Sequence, residues 1–281
     1  MRGYSMKDSP NYFNTLIAVI TYNPDAGFRD RTIRYVEIAD RIVIIDNNSE
    51  KDISQYIPEE LSEHFIVIKS QTNNGIAWGL NQGALYAKQH SFLYLLTFDQ
   101  DSLPVRGILN CYADIICNVP QVGLIGTSFT QKIVDTPLSI TYCKKKTLIT
   151  SGTIHPVAIF DEVGLYDESL FIDSVDFDFV LRVRKRYDVL CTKEPLIYHE
   201  LGAPITKYGI ISSNHNSIRR YYMARNHVLI CKRYWMIFPA WVLKKSVMFL
   251  ISVIQMVIVE KDIRRKCKSI LCGIRDAYNL K

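Results

Sequence analysis

The chain has 281 residues, 48% hydrophobic and 22% charged, enough apolar material for one large core or two modest ones, which excludes an intrinsically disordered protein. Its net charge of +6 is uneven: residues 231–281 carry eleven Lys/Arg against three Asp/Glu, so the basic character belongs to the C-terminus. Seven cysteines in no Cys-x-x-Cys or Cys/His spacing exclude a structural zinc site and point to free thiols in a reducing compartment.

Met1 to Asn14 is polar and lacks the apolar stretch of a secretory signal, and reads as a short tail. Leu16 to Tyr22 is a β-branched strand that stops at Asn23-Pro24, where the proline suits the first turn of a helix. Arg41 to Ile45 repeats the form, and Asp46-Asn47-Asn48-Ser49 closes it with residues that favour turns and helix N-caps. Phe65 to Ile68 is a third strand, and Gly75 to His90 a helix with small residues along one side. The apolar run from Phe92 then ends at Asp99 and Asp101, two carboxylates one residue apart, and Pro104 blocks its continuation. Strands alternating with helices of this length predict βαβ units and an α/β fold with a mostly parallel sheet.

Beyond Pro104 the pattern predicts a helix to Cys117, a strand over Val122 to Thr127, and a hairpin over Leu138 to Thr150 with Lys144-Lys145-Lys146 as its solvated tip. The acidic stretch Phe171 to Asp178 leads into a helix ending near Arg186. From Lys207 onward the chain reads as helical and basic with no strand left, giving a tail (1–14), a catalytic α/β domain (15–206) and a helical C-terminal region (207–281). In that last region Ser246 to Val259 is apolar, too short at fourteen residues for an ordinary membrane span. It suits a helix lying in the interface, with Lys244-Lys245, Lys261 and Arg264-Arg265-Lys266 on anionic headgroups and Trp235, Trp241 and Phe249 as an aromatic belt. The alternative is a buried packing helix. Nucleic acid is not the expected partner, because the basic residues bracket an apolar stretch instead of interleaving with aromatics.

Ligands of open α/β sheets bind at the carboxyl ends of strands, so Thr21, Tyr22, Asn23, Asp46 and Asp99 are expected to share a nucleotide-sized crevice. The chain contains neither a P-loop nor a dinucleotide fingerprint. A divalent metal, Mg²⁺ or Mn²⁺, at Asp99 and Asp101 is therefore expected to meet the charge of a diphosphate. His199, at another apparent strand end, reads either as a third metal ligand or diphosphate contact, or as a hydrogen-bonded structural histidine. In a helix starting near Ser174, Asp173 and Asp176 share one side and Asp178 points away. That arrangement allows Asp173 as N-cap with Asp176 reinforcing the first turn, or Asp176 as a general base. Arg225-Asn226 reads as a phosphate or acceptor contact, or as helix surface.

Taken in order, these pieces resemble the GT-A-fold glycosyltransferases of family 2, and within them the bacterial rhamnosyltransferases of O-antigen and other surface polysaccharide assembly. The matching segments are Ala18 to Pro24, Ile45 to Ser49, Asn73 to Ala77 with Asn81 and Gly83, Thr97 to Ser102, Ser151-Gly152, Leu170 to Asp176, His199 to Gly202, and Tyr221 to Asn226. The chain departs at Arg186, where such sequences usually carry Gly. The resemblance implies that Asp46 contacts the base, Asp99 the ribose or metal, and Asp101 the metal, and that Asp176 is the catalytic base. It also implies nucleotide-sugar contacts from Asn73, Gly75, Ser151, Gly152, Asp173 and Arg225. The implied reaction is an inverting transfer from a nucleotide sugar, dTDP-L-rhamnose, to a polyprenyl-diphosphate-linked saccharide at the cytoplasmic face of the plasma membrane. A UDP-hexose donor is the alternative within the family. A phosphohydrolase whose nucleophile is the first aspartate of a D-x-D fits less well, because three strands precede Asp99. A scaffold with a decayed nucleotide site is disfavoured by acids at 46, 99, 101 and 176 together.

Overall fold

Seven consecutive buried residues, Thr15–Thr21, make the strand β1, and such a run is stable only where both faces of a sheet are covered. In this computed structural model, which describes residues 9–132, 135–199 and 204–280, β1 lies inside a nine-stranded sheet. The chain divides into two compact units, Met1–Glu168 with Phe179–Glu200, and Ser169–Asp178 with Leu201–Lys281. Residues 1–8 of the expected tail, and Glu200 to Gly202 of the His199 segment, lie outside the described residues.

In the first unit α1 (Phe28–Val36) leads to β2 (Arg41–Asp46), β3 (Phe65–Lys69), α2 (Gly75–Gln89) and β4 (Tyr94–Asp99). These strands pair in parallel in the order β3-β2-β1-β4, as the alternation of strands and helices predicts. The small residues of α2 let it approach the sheet closely. A Cβ on Gly83 would lie 2.7 Å from that of Ala18. The rest of the unit comprises β5 (Ser102–Pro104), α3 (Ile108–Asn118), β6 (Val122–Thr130), β7 (Tyr142–Lys144), β8 (Thr153–Pro156), α4 (Ile159–Val163), the greater part of α5 (Val175–Val183), and β9 (Asp188–His199). Antiparallel β8 carries the sheet on from β4 through β6 and β9 to β5.

As expected, the run from Phe92 ends at Asp99 and no strand continues past Pro104, which is the last residue of the short β5 paired antiparallel with β9. Two sequence expectations are corrected here. Leu138 to Thr150 forms no hairpin of its own, because Tyr142–Lys144 pairs with β9; Lys144, Lys145 and Lys146 are solvent-exposed as expected, with Lys144 2.8 Å from Asp188. The region after residue 206 is not purely helical, since β10 (Ile205–Lys207) and β11 (Ile210–Ser212) form a two-stranded hairpin.

The second unit continues with α6 (Ser217–Tyr234), α7 (Pro239–Val259) and α8 (Ile263–Asn279). Gly273 allows α8 to cross α6 closely, for a Cβ there would stand 2.4 Å from the Tyr221 carbonyl oxygen. Ala224, Met256 and Ile270 form the small apolar centre of this unit. Beside it Glu260, fully buried, accepts from Arg220 Nη2 and Lys266 Nζ, each at 2.6 Å, and from the Ser212 hydroxyl. Burial opposes ionisation of Glu260, but its hydrogen bonds from Lys266 and Ser212 and the Arg220 charge prevail and bring its pKa down to about 2.

Helix α7 begins with Pro239 in its first turn and runs for 21 residues, well beyond the fourteen-residue apolar stretch. By length and composition alone it is long enough to cross a membrane. Its buried residues are Trp241, Val242, Met256 and Val259, whereas Leu243, Val247, Leu250, Ile251, Ile254 and Ile258 are exposed along one side. All seven cysteines are free thiols.

Candidate active site

The parallel registers bring the first group of acids together. Thr21 is paired with Asp46, and Ile20 with Asp99, so the ends of β1, β2 and β4 lie at one sheet edge. Asp46 Oδ1 accepts from the backbone N–H of Ser49 at 3.0 Å and from its hydroxyl at 2.5 Å, the local bonding expected of Asp in a turn. Asp46 Oδ2 is buried with no hydrogen-bond partner. A buried carboxylate oxygen left unpaired costs its full desolvation penalty, so it is an acceptor suited to a ligand N–H.

Neighbouring polar side chains fix this edge. Asn47 donates to the Gly75 carbonyl at 3.1 Å and accepts from the Asn74 N–H at 3.3 Å, which ties the end of β2 to the start of α2. Asn73 Oδ1 accepts from Gly75 N–H at 3.0 Å, and Gly75 has a φ of 82° that favours glycine. Asn23 accepts from Glu50 N–H at 2.9 Å, and the Tyr22 N–H donates to Gln100 at 2.7 Å. Thr21 is buried and its hydroxyl points to the Ile45 carbonyl at 3.4 Å, a framework contact.

The second group is Asp99, Asp101 and His199, whose ligand atoms lie within 4.8 Å of one another. His199 is brought in by the β5–β9 pairing, in which it stands opposite Ser102. A hydroxyl chain supports the trio: Asp99 N–H donates to Ser151 Oγ at 3.1 Å, Ser151 Oγ–H donates to Ser102 Oγ at 2.7 Å, and Ser102 Oγ is 2.8 Å from His199 Nδ1. The tautomer that donates from Nδ1 to Ser102 leaves Nε2 as a ligand atom, the arrangement typical of metal-binding histidines. Asp101 Oδ1 is buried without a hydrogen bond among the described residues, 3.4 Å from His199 Nδ1. Two carboxylates, one of them with the unsatisfied buried oxygen, and an imidazole fit a divalent cation of borderline hardness. Ser151 is buried behind this trio, and Gly152, at φ 72°, donates its N–H to Thr97 O at 2.8 Å; both act in the framework of the site.

The expected base lies in the second unit. Phe171, Asp173 and Ser174 all have φ between 62° and 66°, an unusual run of left-handed non-glycine residues just before α5. Asp173, expected as an N-cap or a sugar contact, has its carboxylate on Arg219, with Nη2 3.1 Å away. Asp178 accepts from Arg233 at 3.1 Å and from the Tyr234 hydroxyl at 2.9 Å. Asp176 Oδ1 accepts from the Phe177 N–H at 2.8 Å, and Lys245 Nζ lies 3.7 Å from the centroid of the Phe177 ring. Arg225 is largely buried, and its guanidinium donates to the carbonyls of Ser169 at 2.5 Å and Leu170 at 3.1 Å. Those bonds make it a support of the 169–174 segment and correct the helix-surface reading of Arg225. The supporting roles of Gln100, Ser102, Asn226 and Arg219 were not anticipated, although Asn226 sits in the Tyr221 to Asn226 segment already singled out.

Residues 17–115 match the model of glycosyl transferase family 2. The chain is 28% identical over 249 residues to the dTDP-rhamnosyl transferase RfbF of Shigella flexneri, covering 78% of this chain and 80% of the relative. Among solved structures it is similar to the mannosyltransferase PcManGT from Pyrobaculum calidifontis in complex with GDP-Man and Mn²⁺, with a TM-score of 0.59 at 12% identity over 95% of this chain and 78% of that one. S. aureus TarS with UDP-GlcNAc gives a TM-score of 0.55 at 12% identity, over 95% and 73% of the two chains. GalNAc-T7 with UDP, GalNAc and Mn²⁺ gives 0.57 at 14% identity over 83% of this chain, which spans only 50% of GalNAc-T7. Fold, family model and relative agree: the chain is a glycosyltransferase with the GT-A fold, its residues 17–115 match glycosyl transferase family 2, and it resembles rhamnosyltransferases.

Proposed function

We propose that this glycosyltransferase moves L-rhamnose, with inversion, from dTDP-L-rhamnose to a polyprenyl-diphosphate-linked saccharide during assembly of a surface polysaccharide such as O-antigen. The observation that carries the nucleotide half of the reading is the buried, unpartnered Oδ2 of Asp46 at the strand-end edge. That oxygen accepts the imide N–H of thymine, and Asp99 takes the ribose or the cation. The similarity to a dTDP-rhamnosyl transferase supports the donor.

Asp101, Asp99 and His199 would hold Mg²⁺ or Mn²⁺, which when bound neutralises charge on the departing nucleoside diphosphate. Asp176 removes the proton of an acceptor hydroxyl as that oxygen attacks the anomeric carbon and the bond to the diphosphate breaks. Rhamnose carries a methyl where hexoses carry a hydroxymethyl, so its pocket needs an apolar wall. An apolar wall rejects an added hydroxyl by only ~10²-fold in favourable cases, so some use of other donors is expected.

The exposed apolar side of α7, with Lys244 beside it and Arg264 and Arg265 at the start of α8, supports attachment to an anionic membrane surface. The site of action is then the inner face of a bacterial plasma membrane, where a polyprenyl-linked acceptor resides.

A UDP-hexose is the second reading, because Asp46 accepts from the imide of uracil as readily as from that of thymine. A competition assay with dTDP-L-rhamnose, UDP-glucose, UDP-galactose and UDP-N-acetylglucosamine, with a lipid-linked acceptor, decides between them. The highest kcat/KM is expected with dTDP-L-rhamnose. Preference for any UDP-hexose removes the rhamnosyl assignment and leaves the family.

A further inference from the structure

Asn226 is completely buried in α6, and its side-chain nitrogen lies 2.7 Å from the Leu170 carbonyl oxygen and 2.8 Å from those of Ile172 and Asp173. One amide thus reaches three carbonyls of the segment whose residues 171, 173 and 174 adopt left-handed backbone angles. Such angles are costly for non-glycine residues and persist only where the surroundings over-determine them. The amide orientation is itself fixed, because Arg225 Nε donates to Asn226 Oδ1 at 3.0 Å. The Arg225 guanidinium adds the Ser169 and Leu170 carbonyls and lies over the Tyr222 ring at 4.7 Å, and that ring stacks on Phe171 at 4.7 Å. One turn of α6 therefore grips the backbone of residues 169–173 and one of its side chains. The flanking acids are pinned by other residues of α6, Asp173 by Arg219 and Asp178 by Arg233 and Tyr234.

Asp176 stands between those two pinned acids, with no glycine between Ser169 and Asp178 to relax the chain. We infer that Asn226, with Arg225 behind it, is a positioning residue that sets the backbone of residues 169–174 and through it the direction in which Asp176 is presented to the acceptor hydroxyl. This inference rests on the reading of Asp176 as base. It assigns Arg225 and Asn226 no contact with substrate. A proton acceptor works only within hydrogen-bond reach of the proton it takes, so a shift of this segment lowers turnover without touching the nucleotide contacts.

The test uses the full chain with Asn226→Ala, Asp176→Asn and the double variant. Turnover is read from dTDP-L-rhamnose with a polyprenyl-diphosphate-linked saccharide, dTDP affinity by titration with Mn²⁺, and hydrogen exchange over residues 169–178. Asn226→Ala is expected to lower kcat at least ~30-fold with the dTDP Kd within about twofold and with faster exchange at 170–176. In the double variant kcat is expected to be no lower than in Asp176→Asn alone, because both changes remove the same proton transfer. Wild-type kcat in Asn226→Ala beside an inactive Asp176→Asn overturns the inference alone, as do losses that multiply in the double variant. Wild-type kcat in Asp176→Asn overturns the base reading beneath it. Should Asn226→Ala not fold, Arg225→Lys keeps the charge but loses the planar fork over Tyr222. It is expected to show the same split of kcat from Kd at roughly a third of the size in logarithmic terms, and a wild-type kcat there beside an inactive Asp176→Asn is equally fatal.

Discussion

The strand-end cluster of the first unit and the 169–178 segment of the second are organised in opposite ways. Asp46 and Asp99 are set by the register of adjacent parallel strands, and His199 by an antiparallel pair, so main-chain hydrogen bonds do most of the positioning. Residues 169–178 have little regular structure before α5 and are held by side chains some fifty residues later, from Arg219, Arg225, Asn226, Arg233 and Tyr234. A site fixed by register tolerates loss of one neighbouring side chain, whereas a site fixed by side-chain grips does not.

The largest expected effect breaks the first of these regions chemically while leaving its backbone intact. Asp101→Ala removes one of three candidate ligands and the buried oxygen that lacks a partner. Loss of a cation's charge stabilisation, worth several kcal/mol, is expected to lower turnover ~10³-fold and to abolish tightening of dTDP binding by Mn²⁺. If dTDP binds the wild-type protein equally tightly in EDTA, the metal role is wrong.

Next in size is a change elsewhere in the second unit, at the buried ion cluster beside α6. Glu260→Ala leaves Arg220 and Lys266 buried and without their shared partner, at an expected cost of about 3–5 kcal/mol in denaturant unfolding. Exchange should accelerate across residues 204–280, while dTDP binding, proposed to rest on Asp46 and Asp99 of the first unit, is expected to hold. An equal loss of dTDP affinity would deny that the two regions are organised independently.

How legible each region was in the sequence follows from the same contrast. Strands β1, β2 and β4 announce themselves as apolar runs ending in Asn-Pro, Asp-Asn-Asn-Ser or Asp-x-Asp, because a buried parallel strand needs apolar residues on both faces. Strands β7, β10 and β11 have three residues each, too few for any periodicity to register. The length of α7 is masked in the sequence because Lys244 and Lys245 interrupt the apolar run, although a helix continues through the exposed Lys244 and half-buried Lys245 and its proline marks the true start. The grip of Arg225 and Asn226 was illegible, since hydrogen bonds to carbonyls fifty residues away leave no local pattern. That is why Arg225-Asn226 reads from sequence only as a phosphate or acceptor contact or as helix surface.

A smaller effect separates the regions by pH. His155, buried in the first unit against Tyr166 and Phe160, is held down to about 4 by burial, against which the Leu95 and Thr153 backbone contacts act weakly. The unfolded chain takes up this proton near pH 6.5, so its stability contribution is complete above that value, declines as pH falls from 6.5 to about 4, and amounts to about 3 kcal/mol. His215 of the second unit, brought to about 4 by burial and the Arg219 charge, has the same onset. Glu260 extends the decline in the second unit alone, from about 4.5 toward about 2. Thermal unfolding of His155→Leu between pH 7.5 and 4.5, read by exchange in each unit, is expected to be flatter than wild type in the first unit and unchanged in the second. An identical pH slope in both proteins would show that His155 is not the titrating group.

The smallest expected effect tests whether register alone makes the nucleotide edge selective. Asp46→Asn keeps the volume and an oxygen for the Ser49 bonds, but it places an NH₂ on one of the two positions that now accept. If the amide oxygen stays on Ser49, the NH₂ occupies the place of the unpartnered Oδ2 and meets the donor edge of the imide with another donor. A hydrogen bond to a charged acceptor is worth about 1.5–3 kcal/mol, so dTDP and UDP should both weaken by roughly ten- to a hundredfold. Cytosine carries no imide proton and presents a ring-nitrogen acceptor at that position, so CDP should bind the variant better than it binds the wild type. The strand registers that hold Thr21, Asp46 and Asp99 together do not depend on the side chain at 46, so the Tm should stay within a few degrees. Titration of the three diphosphates against both proteins reads this directly. Weakening of dTDP, UDP and CDP by the same factor would place Asp46 in the framework of the edge and leave recognition of the base to other residues.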